Sequence, residues 1–217
     1  MKSPLIVANW KSNKTLEEVK EWVEKYTEES SQNDKQIIIC SSFTLLSDLK
    51  NLISHKNLKI EIGAQDLSAF DSGQYTGEVN AAQIKDFANY VIIGHSERRK
   101  NFNETNQILE QKVTMARNYD LEPIFCIQGN DTYIPSGVEI VTYEPFFAIG
   151  TGNPDTPENA EEIGGMIKKK GFRSFLYGGS VNSENVKNFT SMPSIDGVLI
   201  GKASLDPLEF SKTINAS

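Results

Sequence analysis

The sequence predicts an α/β fold, a parallel (β/α)8 barrel with its helices outside, and two observations carry that prediction. Eight short apolar, β-branched runs recur along the whole chain, and segments of helical period lie between them. The runs are Leu5 to Trp10, Gln36 to Cys40, Lys59 to Gln65, Tyr90 to His95, Pro123 to Ile127, Glu139 to Glu144, Phe172 to Gly178 and Gly197 to Gly201. Most are continuously apolar for three or four residues, as strands covered on both faces must be. Eight strands is the number that closes such a barrel. An open doubly wound sheet is the alternative, weakened because no Gly-x-Gly-x-x-Gly follows the first run. The 217 residues are expected to form one domain, 1–217.

The connections support this element by element. Thr15 to Tyr26 carries Leu16, Val19, Val23 and Tyr26 on one stripe, and Thr15 with Glu18 has capping-box spacing. Ile108, Leu109, Val113 and Ala116 form a second stripe. Thr156-Pro157 reads as an N-cap followed by proline at the first helical position, in a helix that ends in Lys168-Lys169-Lys170 and Gly171. Asp206-Pro207 opens the last helix in the same way. The connection between the fifth and sixth strands is too short for this pattern. Only 18 positions separate Cys126 from Glu144, and Gln128-Gly129-Asn130-Asp131 and Ile134-Pro135-Ser136-Gly137 read as turns. The fifth helix is therefore expected to be largely missing or reduced to a turn. That would leave the outer face of strands five and six exposed without a new partner.

Composition narrows the function. The net charge is −7, which argues against a nucleic-acid partner. No apolar run approaches the roughly 20 residues that span a bilayer. Met1-Lys2-Ser3-Pro4 leads into a strand without the anatomy of a signal peptide. Cys40 and Cys126, each in an apolar run, read as buried thiols of a cytoplasmic protein.

In a parallel barrel the residues for chemistry sit at the C-terminal ends of the strands. Those ends carry Asn9 and Lys11, Gln65, His95 with Glu97, Glu144, Gly178-Gly179-Ser180 and Gly201-Lys202. His95 precedes a helix start, and a helix N-terminus disfavours imidazolium. Glu144 ends an apolar strand, where a carboxylate needs partners or a function. Pro145 stiffens the exit into Phe146-Phe147-Ala148-Ile149-Gly150-Thr151-Gly152, which reads either as a buried loop or as a lid. Glycines after strands seven and eight suit a phosphate cradle. Together the set offers a carboxylate base, an imidazole donor, a fixed cation and an anion site, which suits proton transfer beside the carbonyl of a small phosphorylated sugar. The sequence has neither a metal-ligand cluster nor a nucleophile elbow.

Five segments, in order, resemble the signature segments of the triosephosphate isomerase family. They are Ala8-Asn9-Trp10-Lys11, Ile93 to Arg99, Tyr143-Glu144-Pro145 through Gly152, Tyr177-Gly178-Gly179-Ser180-Val181, and Asp196-Gly197 through Gly201. The resemblance implies a TIM barrel that needs no cofactor and interconverts dihydroxyacetone phosphate and glyceraldehyde 3-phosphate, a step of glycolysis and gluconeogenesis. It implies Glu144 as the base, His95 as electrophile, Lys11 as charge stabiliser, Asn9 as a substrate hydrogen-bonding group and Glu97 as the group that orients Lys11. Gly150, Ser180, Gly201 and Lys202 would offer backbone N–H groups to the phosphate. Pro145, Phe146, Phe147, Ala148 and Ile149 would form the lid, with Ile149 and Leu199 as its apolar clamp. The family is usually dimeric through a loop that matches Gln65 to Glu78 here, with Tyr75, Thr76 and Glu78 at its tip and Thr76 reaching the neighbour's Asn9 and Glu97. A homodimer is thus implied, and the shortened fifth connection leaves a tetramer open.

Against the family's Cys-x-Gly-Glu pattern, Cys126-Ile127-Gln128-Gly129 lacks the glutamate, and Phe147 stands for a tryptophan that can pair with it, a joint loss expected to orphan no polar partner. Asn153-Pro154-Asp155 is an unusual second hinge. Lys202 replaces the second glycine after strand eight, with its side chain expected to point outward. Two rivals remain: a non-catalytic sugar-phosphate-binding scaffold, and another phosphosugar enzyme, an epimerase or isomerase, on the same barrel.

Overall fold

The computed structural model describes residues 3–29, 35–148 and 152–217. Eight strands, β1 (Leu5–Asn9), β2 (Gln36–Ser41), β3 (Glu61–Ala64), β4 (Tyr90–Ile93), β5 (Glu122–Ile127), β6 (Ile140–Tyr143), β7 (Ser174–Tyr177) and β8 (Gly197–Ile200), pair in chain order and close into a ring. Every pairing is parallel, including β8 with β1. Followed once round, the register slips by eight residues, the shear of a (β/α)8 barrel.

The strands read as continuously apolar because both faces are buried, against two different cores. Leu5, Val7, Ile38, Cys40, Ile92, Ile124, Cys126, Ile140, Leu176 and Leu199 pack together inside the ring. Their sequence neighbours, among them Ile6, Ile39, Val91, Phe125, Val141 and Phe175, pack on the surrounding helices. Both cysteines are free and fully buried, and burial pushes their thiols up.

The helices are α1 (Leu16–Glu29), α2 (Leu46–His55), α3 (Ala81–Lys85), α4 (Ser96–Asn101), α5 (Asn106–Asn118), α6 (Pro157–Lys169), α7 (Val186–Thr190) and α8 (Pro207–Ala216). Their caps follow the sequence. The Glu18 carboxylate accepts from Thr15 N–H at 2.6 Å, and the Thr15 hydroxyl accepts from Glu18 N–H in return. Thr156 and Asp206 cap α6 and α8, each with proline at the start of the helix, and Gly171 takes φ +93° just past the end of α6. The stripe of α1 differs from its expected composition. Leu16 is 38% exposed, and Trp22, at 2%, completes the buried face with Val19, Val23 and Tyr26.

Between β5 and β6, residues 128–139 form turns and no helix. The expected exposed face is nevertheless absent. Phe125, Ile127, Val141 and Tyr143 are all buried within the single chain. Val138 is buried with them, Ile134 packs on the same core, and the Arg99 guanidinium lies over the Phe125 ring at 5.5 Å. A folded-down loop and one arginine do the covering, so the exposed-face argument for a larger assembly does not hold. Among the described residues no helix is long and apolar enough to cross a membrane.

The ring shuts where β8 meets β1, and Gly197 makes this possible. A Cβ there would lie 2.0 Å from the Leu5 carbonyl oxygen and 2.8 Å from its carbon and nitrogen, all rigid backbone. Gly197→Ala is expected to cost ~3 kcal/mol or more, the severe end of overpacking. In a chain of this size that lowers Tm by roughly 6–12 °C, read by thermal melting. A melting curve like that of the unmodified chain contradicts this account of closure.

Candidate active site

A cleft of about 740 Å³ opens at the C-terminal ends of the strands, lined by Asn9, Lys11, His95, Glu144, Gly178, Ser180, Leu199, Gly201 and Lys202 among others. The barrel thus brings together polar residues from β1, β4, β6, β7 and β8.

Glu144 follows β6 directly, and its N–H donates to the Ile127 carbonyl at 2.8 Å, which fixes its backbone. Its side chain is 1% exposed. One carboxylate oxygen lies 3.0 Å from His95 Nε2, and the other accepts the Ser96 N–H at 3.3 Å. Gly178 is the space the carboxylate needs. A Cβ there would meet Glu144 Cγ at 3.0 Å and Thr142 Cγ2 at 2.9 Å. Burial pushes the Glu144 carboxyl up, but His95, the Cys126 thiol and the Ser96 N–H outweigh it and hold it below its ordinary value.

His95 is the N-cap of α4. Its Nδ1 accepts the Glu97 N–H at 3.2 Å, which leaves Nε2 as the protonated nitrogen of the neutral ring, facing Glu144. A second proton would have to displace the Glu97 N–H. The helix start alone predicts a lowered pKa. Burial acts in that same direction, but the Glu144 carboxylate overrides both and leaves His95 above its ordinary value.

Lys11 sits at φ +52°, a left-handed conformation that costs a non-glycine residue about 1–3 kcal/mol unless its surroundings impose it. Here they do. Its N–H donates to Asn9 Oδ1 at 3.0 Å, and its carbonyl accepts from Gln65 Nε2 at 3.0 Å. Its ammonium donates to Glu97 Oε1 at 2.5 Å. Gln65, expected at the root of an interface loop, is therefore also a brace beneath Lys11, and its amide reaches the Cys40 carbonyl as well. Six non-glycine residues among those described have clearly positive φ. Asn57, Asn103 and Asp120 are types that tolerate it. The other three, Lys11, Lys14 and Ser180, lie in the β1–α1 turn and the loop after β7, around the cleft.

The lid segment is split. Pro145 and Ala148 are buried, and Phe146 and Phe147 are 59% and 61% exposed. Ile149 and Gly150 lie outside the described residues. The Ser180 hydroxyl donates to the Ala148 carbonyl at 2.5 Å and accepts the Gly152 N–H at 3.2 Å, so it holds both flanks of the segment. The second hinge is anchored through Asp155. Its carboxylate accepts from Tyr143 Oη at 3.0 Å and Asn159 Nδ2 at 2.6 Å, and its N–H donates to Tyr177 Oη at 2.7 Å. Gln128 Nε2 is buried without a hydrogen-bond partner among the described residues.

Leu199 is 2% exposed on the cleft wall. Lys202 is exposed and lines the cleft, rather than lying wholly outside it. Tyr75, Thr76 and Glu78 lie apart from this cleft, in a run of nine exposed residues, 70–78, where the Tyr75 ring stacks on Phe70 at 4.3 Å. Sequence reading missed Cys126 and Ser96 as partners of Glu144. The two-residue alternation of β5 carries the signal for the first, and the helix start after His95 carries it for the second.

The family model described as triosephosphate isomerase matches residues 4–139 and 133–217, and the break falls in the β5–β6 connection. Relatives named triosephosphate isomerase include one from Mesomycoplasma hyopneumoniae strain 7448, 38% identical over 97% of this chain and 98% of its own length. Another, from Dictyoglomus thermophilum, is 37% identical over the same shares, and one from Alkaliphilus oremlandii is 33% identical over 99% of this chain and all of its own.

The His95–Glu144 contact predicts a pH signature. The carboxylate raises His95, so Glu144→Gln is expected to lower the His95 pKa in a nitrogen-15 NMR titration. A raised histidine pKa stabilises the fold below the unfolded value and loses that contribution as pH rises through the folded value. The Tm of wild type minus that of Glu144→Gln is therefore expected to fall as pH rises above the unfolded histidine value of about 6.5. A His95 pKa that does not move rejects the assignment.

Proposed function

The chain belongs to the triosephosphate isomerase family, and from that premise we propose that it interconverts dihydroxyacetone phosphate and glyceraldehyde 3-phosphate through an enediolate formed between Glu144 and His95. The single observation that carries this reading is the 3.0 Å contact between a buried carboxylate and a histidine Nε2 in a cleft that also holds a lysine ammonium.

The chemistry follows from what substrate replaces. A carbonyl oxygen takes over the His95 Nε2–H, and Glu144 turns from the imidazole and the Ser96 N–H toward the adjacent C–H. Stripped of those partners in a dry site, the carboxyl rises from its depressed value toward one matched to carbon acids. Glu144 removes a proton from one carbon and returns it to the neighbouring carbon, while His95 hydrogen-bonds the oxygens that carry the developing charge and passes the hydroxyl proton of one oxygen to the other through Nε2. Lys11, aimed by Glu97 at 2.5 Å, offsets the charge of enediolate and phosphate. Ser180, Gly201 and Lys202 supply backbone N–H groups to the phosphate, Asn9 holds the Lys11 turn, and Leu199 keeps the base dry.

A coupled assay tests the assignment. Glu144→Gln is expected to lower kcat by about 10²–10⁴, the usual loss of a general base. Wild-type turnover no better than that of Glu144→Gln favours the non-catalytic scaffold. Turnover only of larger phosphosugars favours the other enzyme. The net charge of −7 repels a dianion at long range, so Lys11→Met is expected to weaken inhibition by inorganic phosphate and to flatten its dependence on salt. Unchanged inhibition removes Lys11 from the anion site.

The exposed run 70–78 supports a homodimer in which a second copy covers Phe70 and Tyr75 and brings Thr76 toward Asn9 and Glu97. Light scattering is expected to give twice the 24.2 kDa chain mass. A mass of one chain at every concentration overturns the dimer.

A further inference from the structure

Behind Gly201 the chain makes a 3-10 turn, Lys202–Leu205, and hydrogen-bond donors from the other end of the sequence converge on it. The Ser204 carbonyl accepts two indole N–H groups at once, from Trp10 at 3.2 Å and from Trp22 at 3.1 Å. The next carbonyl, Leu205, accepts the Lys14 ammonium at 2.9 Å. From within the turn, Ser204 closes the circuit, since its N–H and its hydroxyl donate to the Gly201 carbonyl at 3.0 and 2.7 Å.

These groups are themselves held. Trp10 and Trp22 meet edge to face with centroids 5.0 Å apart, Trp22 stacks on Tyr26 at 5.0 Å, and Phe210 closes the cluster. Trp10, Trp22 and Ser204 are buried, and the Lys14 ammonium lies 5.3 Å from the Trp10 ring centre. Lys14 also occupies a left-handed conformation at φ +71°, which a lysine adopts only where its surroundings hold it there. Trp10 belongs to the turn that carries Lys11, and Trp22 lies on α1. The clamp therefore ties the β1 side of the cleft to the loop after β8.

We infer that Trp22 and Lys14, acting with Trp10 through the carbonyls of Ser204 and Leu205, are positioning residues that hold the Gly201–Lys202 backbone in the conformation that receives the substrate phosphate. This inference rests on the reading of that backbone as the phosphate site. The three donors fix the C-terminal end of a four-residue turn, and its N-terminal end presents the N–H groups, so their aim depends on an anchor that touches no substrate. A preorganised anion site of this kind loses binding when the anchor goes, because the freed turn must be ordered again each time.

The test is phosphate affinity, read apart from catalysis. Inorganic phosphate is titrated by calorimetry into wild type, Trp22→Phe and Lys14→Met, and KM and kcat are measured for the same proteins. Trp22→Phe keeps a ring against Tyr26 and Phe210 but donates no hydrogen bond. Lys14→Met keeps both indole hydrogen bonds to the Ser204 carbonyl, so it tests the anchor separately where Trp22→Phe fails to fold. Each variant is expected to weaken phosphate binding about 3- to 10-fold, as loss of one such hydrogen bond does, and to raise KM more than it lowers kcat. Lys14→Arg is expected to restore binding. The chain has two tryptophans, both in the clamp, so intrinsic fluorescence is expected to change on phosphate titration with the calorimetric Kd. A lower Tm with unchanged phosphate Kd and KM, the mark of a purely structural role, overturns the inference. So does a wild type that binds no phosphate. Phosphate affinity that depends on the clamp in a protein without isomerase activity leaves the inference standing and removes the proposed function instead.

Discussion

A carboxylate buried without water is the constraint around which this cleft is built. Glu144 is 1% exposed, and an ion so placed must be surrounded by donors. Three neighbouring elements supply them: the His95 ring at the end of β4, the Ser96 N–H at the start of α4 and the Cys126 thiol on β5. Room for the side chain comes from a fourth, because Gly178 on β7 leaves out the Cβ that would strike it. None of these groups is near Glu144 in sequence. Only the closed ring makes them neighbours, so the charge state of the base is a property of the fold as much as of the residue.

The same donors give the site its two states. While they hold the carboxylate, it is a weak base with its charge satisfied. In the proposed reaction a ligand's oxygen accepts the imidazole N–H, the carboxylate keeps its burial and loses its partners, and its basicity rises at the moment a proton has to move. Restraint elsewhere favours this exchange. Lys11 is locked from both sides of its peptide unit, and the Ser180 hydroxyl and Asp155 pin the flanks of the lid segment.

Much of this was legible in the sequence, because strands and caps are local. Eight short apolar runs marked the barrel, and the strand ends named Asn9, Lys11, His95, Glu97 and Glu144, all of which line the cleft or touch a residue that does. The helices α3 and α7 span only five residues, too few to show a helical period in the sequence. What the sequence could not reveal depended on packing at a distance. The face opened by the missing helix is covered by Ile134, Val138 and the Arg99 guanidinium, and the sequence spacing carries no sign of that. The net effect on His95 followed from a carboxylate 49 positions away rather than from its own helix. The buried, unpartnered Nε2 of Gln128 likewise reflects how its loop folds.

The seam between β8 and β1 has a consequence for how the molecule is made. Leu5 pairs with Gly197, so β1 waits for β8, the last strand of the barrel, before its second edge is covered. Until then β1 carries an open edge, the kind of surface on which nascent chains stick to one another. Lys35, whose ammonium grips the Ile214 and Ser217 carbonyls at the end of α8, joins early and late segments in the same way. Closure of the ring is therefore this protein's most non-local step, and a chain cut short before β8 lacks the closing strand and has no route to a ring.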